Sequence, residues 1–258
     1  MDTHSLNTLR DIPAIWLDMR IGDRSVGKNL RQALNSGALI QPSDGMLAFP
    51  ADQRTTQGNW LYIKKVRDNH PSCKFLSDFL FEQVYAKQAV PHGCRNCYKV
   101  KVIAPTLKGL VAVRDISKGI PCNSKCGPEV NHFYSQNLYG AFFYCEGLDQ
   151  AREIYRRLRT AVDAHPTLGT EVSIRIKRGC SPFEVHCGPS NRWTFQEGLA
   201  ELEEYLLRKF LLPEQKKEDN DFAILMHWIE IAYAIGDNTY LEFTRGRRVY
   251  PETVSYNP

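Results

Sequence analysis

The chain has 258 residues, with 33 Lys and Arg against 29 Asp and Glu and a formal net charge of +4; its sequence pI is near 8.6. That length can bury one large core or two small ones without disulfide staples, and the slight basic excess permits a nucleic-acid partner without demanding one. Residues Met1–Ser5 do not read as a secretory leader, and the most apolar run, Phe222–Gly236, contains His227 and Glu230 and is too short to span a bilayer, so the expectation is a cytoplasmic protein with no membrane partner.

Along the chain, Ser25–Asn35 predicts a short helix with Val26, Leu30, Ala33 and Leu34 on one face. Gly37–Gly58 reads as turns, Asn59–Val66 as a strand and Ser77–Lys87 as a helix. Val100, Val102 and Ala104 alternate with Lys99, Lys101 and Ile103, the pattern of a half-buried strand. Pro105-Thr106 opens a helix that Thr106 caps and Gly119 stops. Glu129–Tyr134 is the expected second strand, with Val130, His132 and Tyr134 on one side. An aromatic strand follows over Leu138–Cys145, then a strongly amphipathic helix over Asp149–Ala164. Thr170–Lys177 alternates again, with Val172, Ile174 and Ile176 inward. A loop then carries Cys180 and Cys187. Thr194–Glu197 has the form of a capping box ahead of a helix that buries Leu199, Leu202 and Leu206. Asp221–Ile235 is apolar nearly all round and predicts a buried helix.

The order β-α-β-β-α-β over about 98–178 is that of the ferredoxin-like split βαβ arrangement, an α/β (α+β) core with N-terminal and C-terminal helical additions. Three consecutive segments are expected: 1–90 packing on the core, a cysteine-rich core over 91–190, and C-terminal helices with a basic tail over 191–258.

Eight cysteines in a reducing compartment point to metal ligation or redox chemistry before disulfides. Cys94 and Cys97 form a C-x-x-C, and Cys122 and Cys126 a C-x-x-x-C. In the split βαβ topology, Cys94, Cys97, Cys122, Cys126, Cys145 and Cys180 fall at the ends of four strands that share one rim. Adjacent strands lie about 4.8 Å apart, so thiolates from neighbours can meet at one ion. Cys187 shares the Gly- and Pro-rich stretch with Cys180. The expected cofactor is zinc or an iron–sulfur cluster. Cys73 stands alone and reads as core packing. His92 and His186 adjoin cysteines and are alternative ligands. Glu184, between Cys180 and Cys187, is placed to serve as general base to a metal-bound water or to be a plain loop residue.

If the valines and isoleucines of the outer strands face the helices, then Lys99, Lys101, Arg175 and Lys177 share the opposite face. On the third strand the same parity sets Tyr139 and Phe143 beside them. Cations beside aromatic rings suit a single-stranded nucleic acid or another polyanion. Leu138–Tyr144 loosely resembles the third strand of RNA recognition motifs and departs from it at Ala141; the first strand lacks the partner motif. No G-x-G-x-x-G after a strand, Walker loop or G-x-S-x-G is present. Three readings follow: a cysteine-ligated metal protein that engages a polyanion, a metalloenzyme on a small anionic substrate, and a zinc-stapled protein-interaction module.

Overall fold

A computed structural model describes residues 12–40, 46–50, 60–64, 73–130, 134–211, 221–252 and 254–256. In chain order it contains helix α1 (Ala14–Leu17), the hairpin β1 (Arg20–Ile21) and β2 (Arg24–Ser25), α2 (Val26–Asn35), β3 (Leu61–Lys64) and a π-helix (Lys74–Val84). Then come β4 (Cys97–Ala104), α3 (Leu107–Gly119), β5 (Asn123–Pro128), β6 (Tyr139–Glu146), α4 (Leu148–Asp163) and β7 (Ile174–Arg178). Helices α5 (Ser181–Cys187), α6 (Leu199–Arg208) and α7 (Asp221–Ala234) follow. It is a mixed α/β protein built on an antiparallel five-stranded sheet in the order β3-β5-β6-β4-β7.

The chain divides into two compact units, each assembled from separate stretches of sequence. The first takes Met1–Thr55, Arg67–Cys97 and Arg178–Lys217; the second takes Thr56–Val66, Tyr98–Lys177 and Glu218–Pro258. Each has its own core. In the first, α2, the π-helix and α6 enclose Val26, Leu30, Phe75, Phe79, Phe81 and Leu202. Leu47 bridges to Phe210, whose ring lies 4.9 Å from Phe75 and 5.1 Å from Phe79. In the second, α3, α4 and α7 cover one sheet face, burying Val100, Val102, Leu110, Phe143, Leu158 and Trp228.

Local chemistry sets the helix starts. Ser25 Oγ accepts from Lys28 N at 3.3 Å and opens α2. Thr106 Oγ1 accepts from Gly109 N at 3.1 Å and opens α3, each satisfying one of the four orphan donors of a helix start. Helix α4 buries Ala151, Ile154, Leu158 and Val162 on one stripe and carries its arginines outside, where Arg157 pairs with Glu153 at 2.8 Å.

Four expectations are corrected. The second strand of the core is Asn123–Pro128, not Glu129–Tyr134; Glu129 and Val130 follow its end, Tyr134 lies in a turn, and 131–133 lie outside the described residues. Its inward side chains are the small Ser124 and Cys126, which carry little apolar signal, and pairing to β3 and β6 imposes the extended form. Ser181–Cys187 is helical rather than a loop, because Pro182 sits in the first turn, where its missing N–H breaks no bond. Thr194–Glu197 does not cap a helix: α6 starts at Leu199 after Gly198 in a left-handed conformation. Helix α7 is buried on one side only, leaving Phe222 70 % and Met226 42 % exposed.

Among the described residues, no helix is long and apolar enough to cross a membrane.

Candidate functional site

In the second unit the sheet separates two kinds of surface. Val100, Val102, Ala141, Phe143, Cys145 and Ile174 belong to the core beneath the helices. The alternate residues of the same strands form the other face. Register is read directly from the backbone. Tyr62 pairs with Lys125, and Lys125 with Phe142. Ile103 N bonds Ser173 O at 3.0 Å and Gly179 N bonds Cys97 O at 2.8 Å, a spacing at which Lys101 stands opposite Arg175 and Lys99 opposite Lys177. Lys101 Nζ lies 5.1 Å from the Phe142 ring centre, and Lys99 Nζ 5.3 Å from that of Tyr144. One row across five strands therefore reads Tyr62, Lys125, Phe142, Lys101, Arg175. A second, across four strands, reads Asn123, Tyr144, Lys99, Lys177.

Cations and rings are interspersed along these rows, with Lys101 and Arg175, and Lys99 and Lys177, as adjacent cations. Lys125 Nζ is 4.2 Å from the Trp60 ring centre, 5.9 Å from that of Tyr62 and 5.8 Å from that of Phe142, all within cation–π range. The four cations expected from the sequence, Lys99, Lys101, Arg175 and Lys177, do share this face. The two expected rings do not: Tyr139 and Phe143 are buried in the helix-side core, where Tyr139 donates its hydroxyl to Asp237 at 2.8 Å. The parity of β6 is shifted by one residue from the expectation, which turns every side chain over, and the rings on the cation face are Phe142 and Tyr144. Trp60, Tyr62 and Lys125 were not expected on this face: β3 was not placed beside the core strands, and Lys125 belongs to the misplaced second strand.

The face also carries a carboxylate. Glu129 Oε2 accepts from Lys101 Nζ at 2.7 Å, and Ser135 Oγ donates to the same oxygen. The Glu129 side chain lies over Gly140, where an added Cβ would stand 2.7 Å from Oε1. Lys99 is 9 % exposed, its stem packed and its ammonium beside Tyr144.

The cysteines fall into two groups, one in each unit. In the second unit, Cys122 and Cys145 are buried and adjacent; their hydrogen bond, then burial, pushes the Cys145 thiol up. Cys126 lies within β5 opposite Ala141, and burial pushes its thiol up to about 12. In the first unit, Cys94 sits in a tight turn, His92–Cys94, just before β4. It is buried, and burial, with Cys97, Cys180 and Cys73 within electrostatic reach, pushes its thiol well up. Cys180 precedes α5. Cys187 ends that helix and points its sulfur to Lys87 O at 3.5 Å. Cys73, expected in the core, is exposed. Among the described residues, no group of three or more His, Cys, Asp or Glu side chains is arranged to hold a metal ion as it stands.

The segments that carry Cys94, Cys97 and Cys180 are tied together. The Arg178 guanidinium bonds Arg95 O at 2.8 and 3.1 Å and Ser190 O at 2.9 Å. Glu203, buried on α6, accepts from His92 N at 2.6 Å, Gly93 N at 2.8 Å and the Tyr85 hydroxyl at 2.8 Å. Burial raises its carboxyl, and the three donors oppose that shift. The His92 ring packs edge-on to Phe195 at 5.8 Å, and His186 lies 6.1 Å from Phe81. Glu184 is in the first turn of α5 and half-buried. No protein family, curated protein or solved structure matches this chain.

Proposed function

We propose that this chain binds single-stranded nucleic acid on the cation-and-ring face of its five-stranded sheet. Lysines and arginines take phosphates, and the aromatic rings take bases. The observation that carries the reading is the row Tyr62, Lys125, Phe142, Lys101, Arg175, in which cations and rings come from five adjacent strands. Lys101 stands opposite Arg175 and Lys99 opposite Lys177, and like charges facing across a ladder repel, a repulsion that Glu129 offsets at Lys101. A polyanion on that face would add counter-charge where the two rows of cations meet. The same reading takes the β-α-β-β-α-β run and its strand order as a ferredoxin-like split βαβ core extended by β3 at one edge. It also takes the chain as cytoplasmic, where its cysteines stay out of disulfides.

The test is fluorescence anisotropy with a labelled oligothymidylate and a duplex of equal length, across a salt series. Preference for the single strand is expected. Lys125→Ala should flatten the salt slope by about 0.7, and Phe142→Ala should cost about 1–3 kcal/mol for one stacked base. Absence of binding at low salt, or unchanged binding by both variants, overturns the reading.

A further inference from the structure

We propose that Cys94, Cys97 and Cys180 form a thiolate metal site in the first unit, with Cys73 as fourth ligand. The site is independent of the sheet face, so either assignment can fail alone.

The argument starts from the backbone. Cys94 and Cys97 bracket a tight turn, and Cys180 follows β7 on a separate segment. Two independent ties join these segments. Gly179 N donates to Cys97 O at 2.8 Å, fixing the peptide immediately before Cys180 against Cys97. Arg178 grips Arg95 O, midway between the two cysteines of the turn, with two guanidinium nitrogens. A third device holds the residues just before Cys94: Glu203 accepts from His92 N and Gly93 N. The turn is closely packed at Gly93, where a Cβ would stand 3.0 Å from Leu76 and 3.4 Å from the Glu203 carboxylate. Three sulfur-bearing residues are thus placed by a fixed backbone, with Cys97, Cys180 and Cys73 within electrostatic reach of Cys94.

The chemistry selects a thiophilic metal, zinc or iron in a sulfide cluster. Each thiol loses its proton to solvent as its sulfur binds. Arg178 then supplies positive charge beside Cys180, and Glu203 is a positioning residue that never touches the ion.

The experiment uses the full chain, purified under reducing conditions, with metal and acid-labile sulfide quantified and Zn2+ and Co2+ titrated into the apoprotein. Stoichiometric zinc, stoichiometric iron with sulfide, or a thiolate-to-cobalt absorption band supports the site. Cys180→Ser should abolish it, while Cys145→Ser, in the other unit, should leave it intact. Glu203→Gln should weaken metal binding about 10–100-fold. Should Cys180→Ser fail to fold, alkylation of the unaltered chain decides: bound metal should protect the half-buried Cys97 and Cys180 and leave the equally half-buried Cys187 reactive. Equal labelling of Cys97 and Cys180 with and without added metal overturns the proposal, as does a metal-free chain that takes up neither ion.

Discussion

Glu129 and Lys101 form an ion pair at 2.7 Å in which the carboxylate is almost wholly buried and the lysine keeps 15 % of its side-chain exposure. Removing one partner of such a pair leaves the other without its counter-charge. Glu129→Gln should therefore lower stability by about 1–3 kcal/mol in urea melts. The same change deletes the carboxylate from the cation face and frees Lys101 for phosphate. Single-strand affinity should rise, with a salt slope steeper by about 0.7. A variant that loses both stability and affinity would show that Glu129 holds the face in shape rather than offsetting its charge.

Gly140 lies directly beneath that carboxylate. A methyl group there meets Oε1 at 2.7 Å and Cδ at 2.9 Å, and only displacement of Glu129 relieves the contact. Gly140→Ala should destabilise by about 1–3 kcal/mol and raise affinity as Glu129→Gln does. Because both changes act through one side chain, the double variant should fall well short of additivity.

Two carboxylates should give the two units opposite pH responses. Burial alone would raise the Asp237 carboxyl, but bonds from Leu107 N at 2.6 Å, the Thr239 hydroxyl at 2.7 Å and the Tyr139 hydroxyl at 2.8 Å hold it below its ordinary value of 3.8. A depressed folded value contributes stability above the unfolded value, which is lost as pH falls through the folded one. Glu203 is raised above its ordinary 4.5 by burial. Its contribution is fully present below the unfolded value and is lost as pH rises through the folded one. Denaturation of Asp237→Asn and Glu203→Gln against the unaltered chain from acid to neutral pH separates the two. The advantage of Asp237 over Asn should grow with rising pH, and that of Glu203 over Gln should shrink.

Gly179 is the joint between β7 and Cys180. Its φ is +62°, and an added Cβ would stand 2.6 Å from the Trp193 ring. Strain and clash together should make Gly179→Ala destabilising by about 2–4 kcal/mol. Metal uptake should fall with it, because the peptide that ties Cys97 to Cys180 is displaced. Full metal uptake in a folded Gly179→Ala protein would separate the tie from the site.

Much of this architecture was legible where side chains alternate strongly. The valines of β4, the isoleucines of β7 and the stripe of α4 are read correctly from periodicity, and with them the four cations of the sheet face. β5 was not legible, because Ser124 and Cys126 are its only inward signals and Gly127-Pro128 imitate a turn. That one error hid Lys125 and removed the neighbour against which the parity of β6 could be checked. Tyr139 and Phe143 versus Phe142 and Tyr144 is a choice between two aromatic alternations of nearly equal hydrophobicity. Only the contacts with Asp237 on one side and Lys99 and Lys101 on the other decide it. The anchoring of the cysteine turn by Glu203 was likewise invisible, since more than a hundred residues separate the partners.

The interleaving of the two units bears on how the chain is made. Neither is a contiguous stretch of sequence: β3 belongs with strands translated well after it, and the first unit is complete only with Arg178–Lys217. No early fragment leaving the ribosome holds all the parts of either. The helix-side sheet core remains open until Ile224, Trp228, Ile229 and Ala232 have been added within the final segment. The nascent chain therefore carries unburied apolar surface on the helix side of its sheet until α7 has been made, and a ribosome that stalls before α7 releases a product with no finished sheet domain.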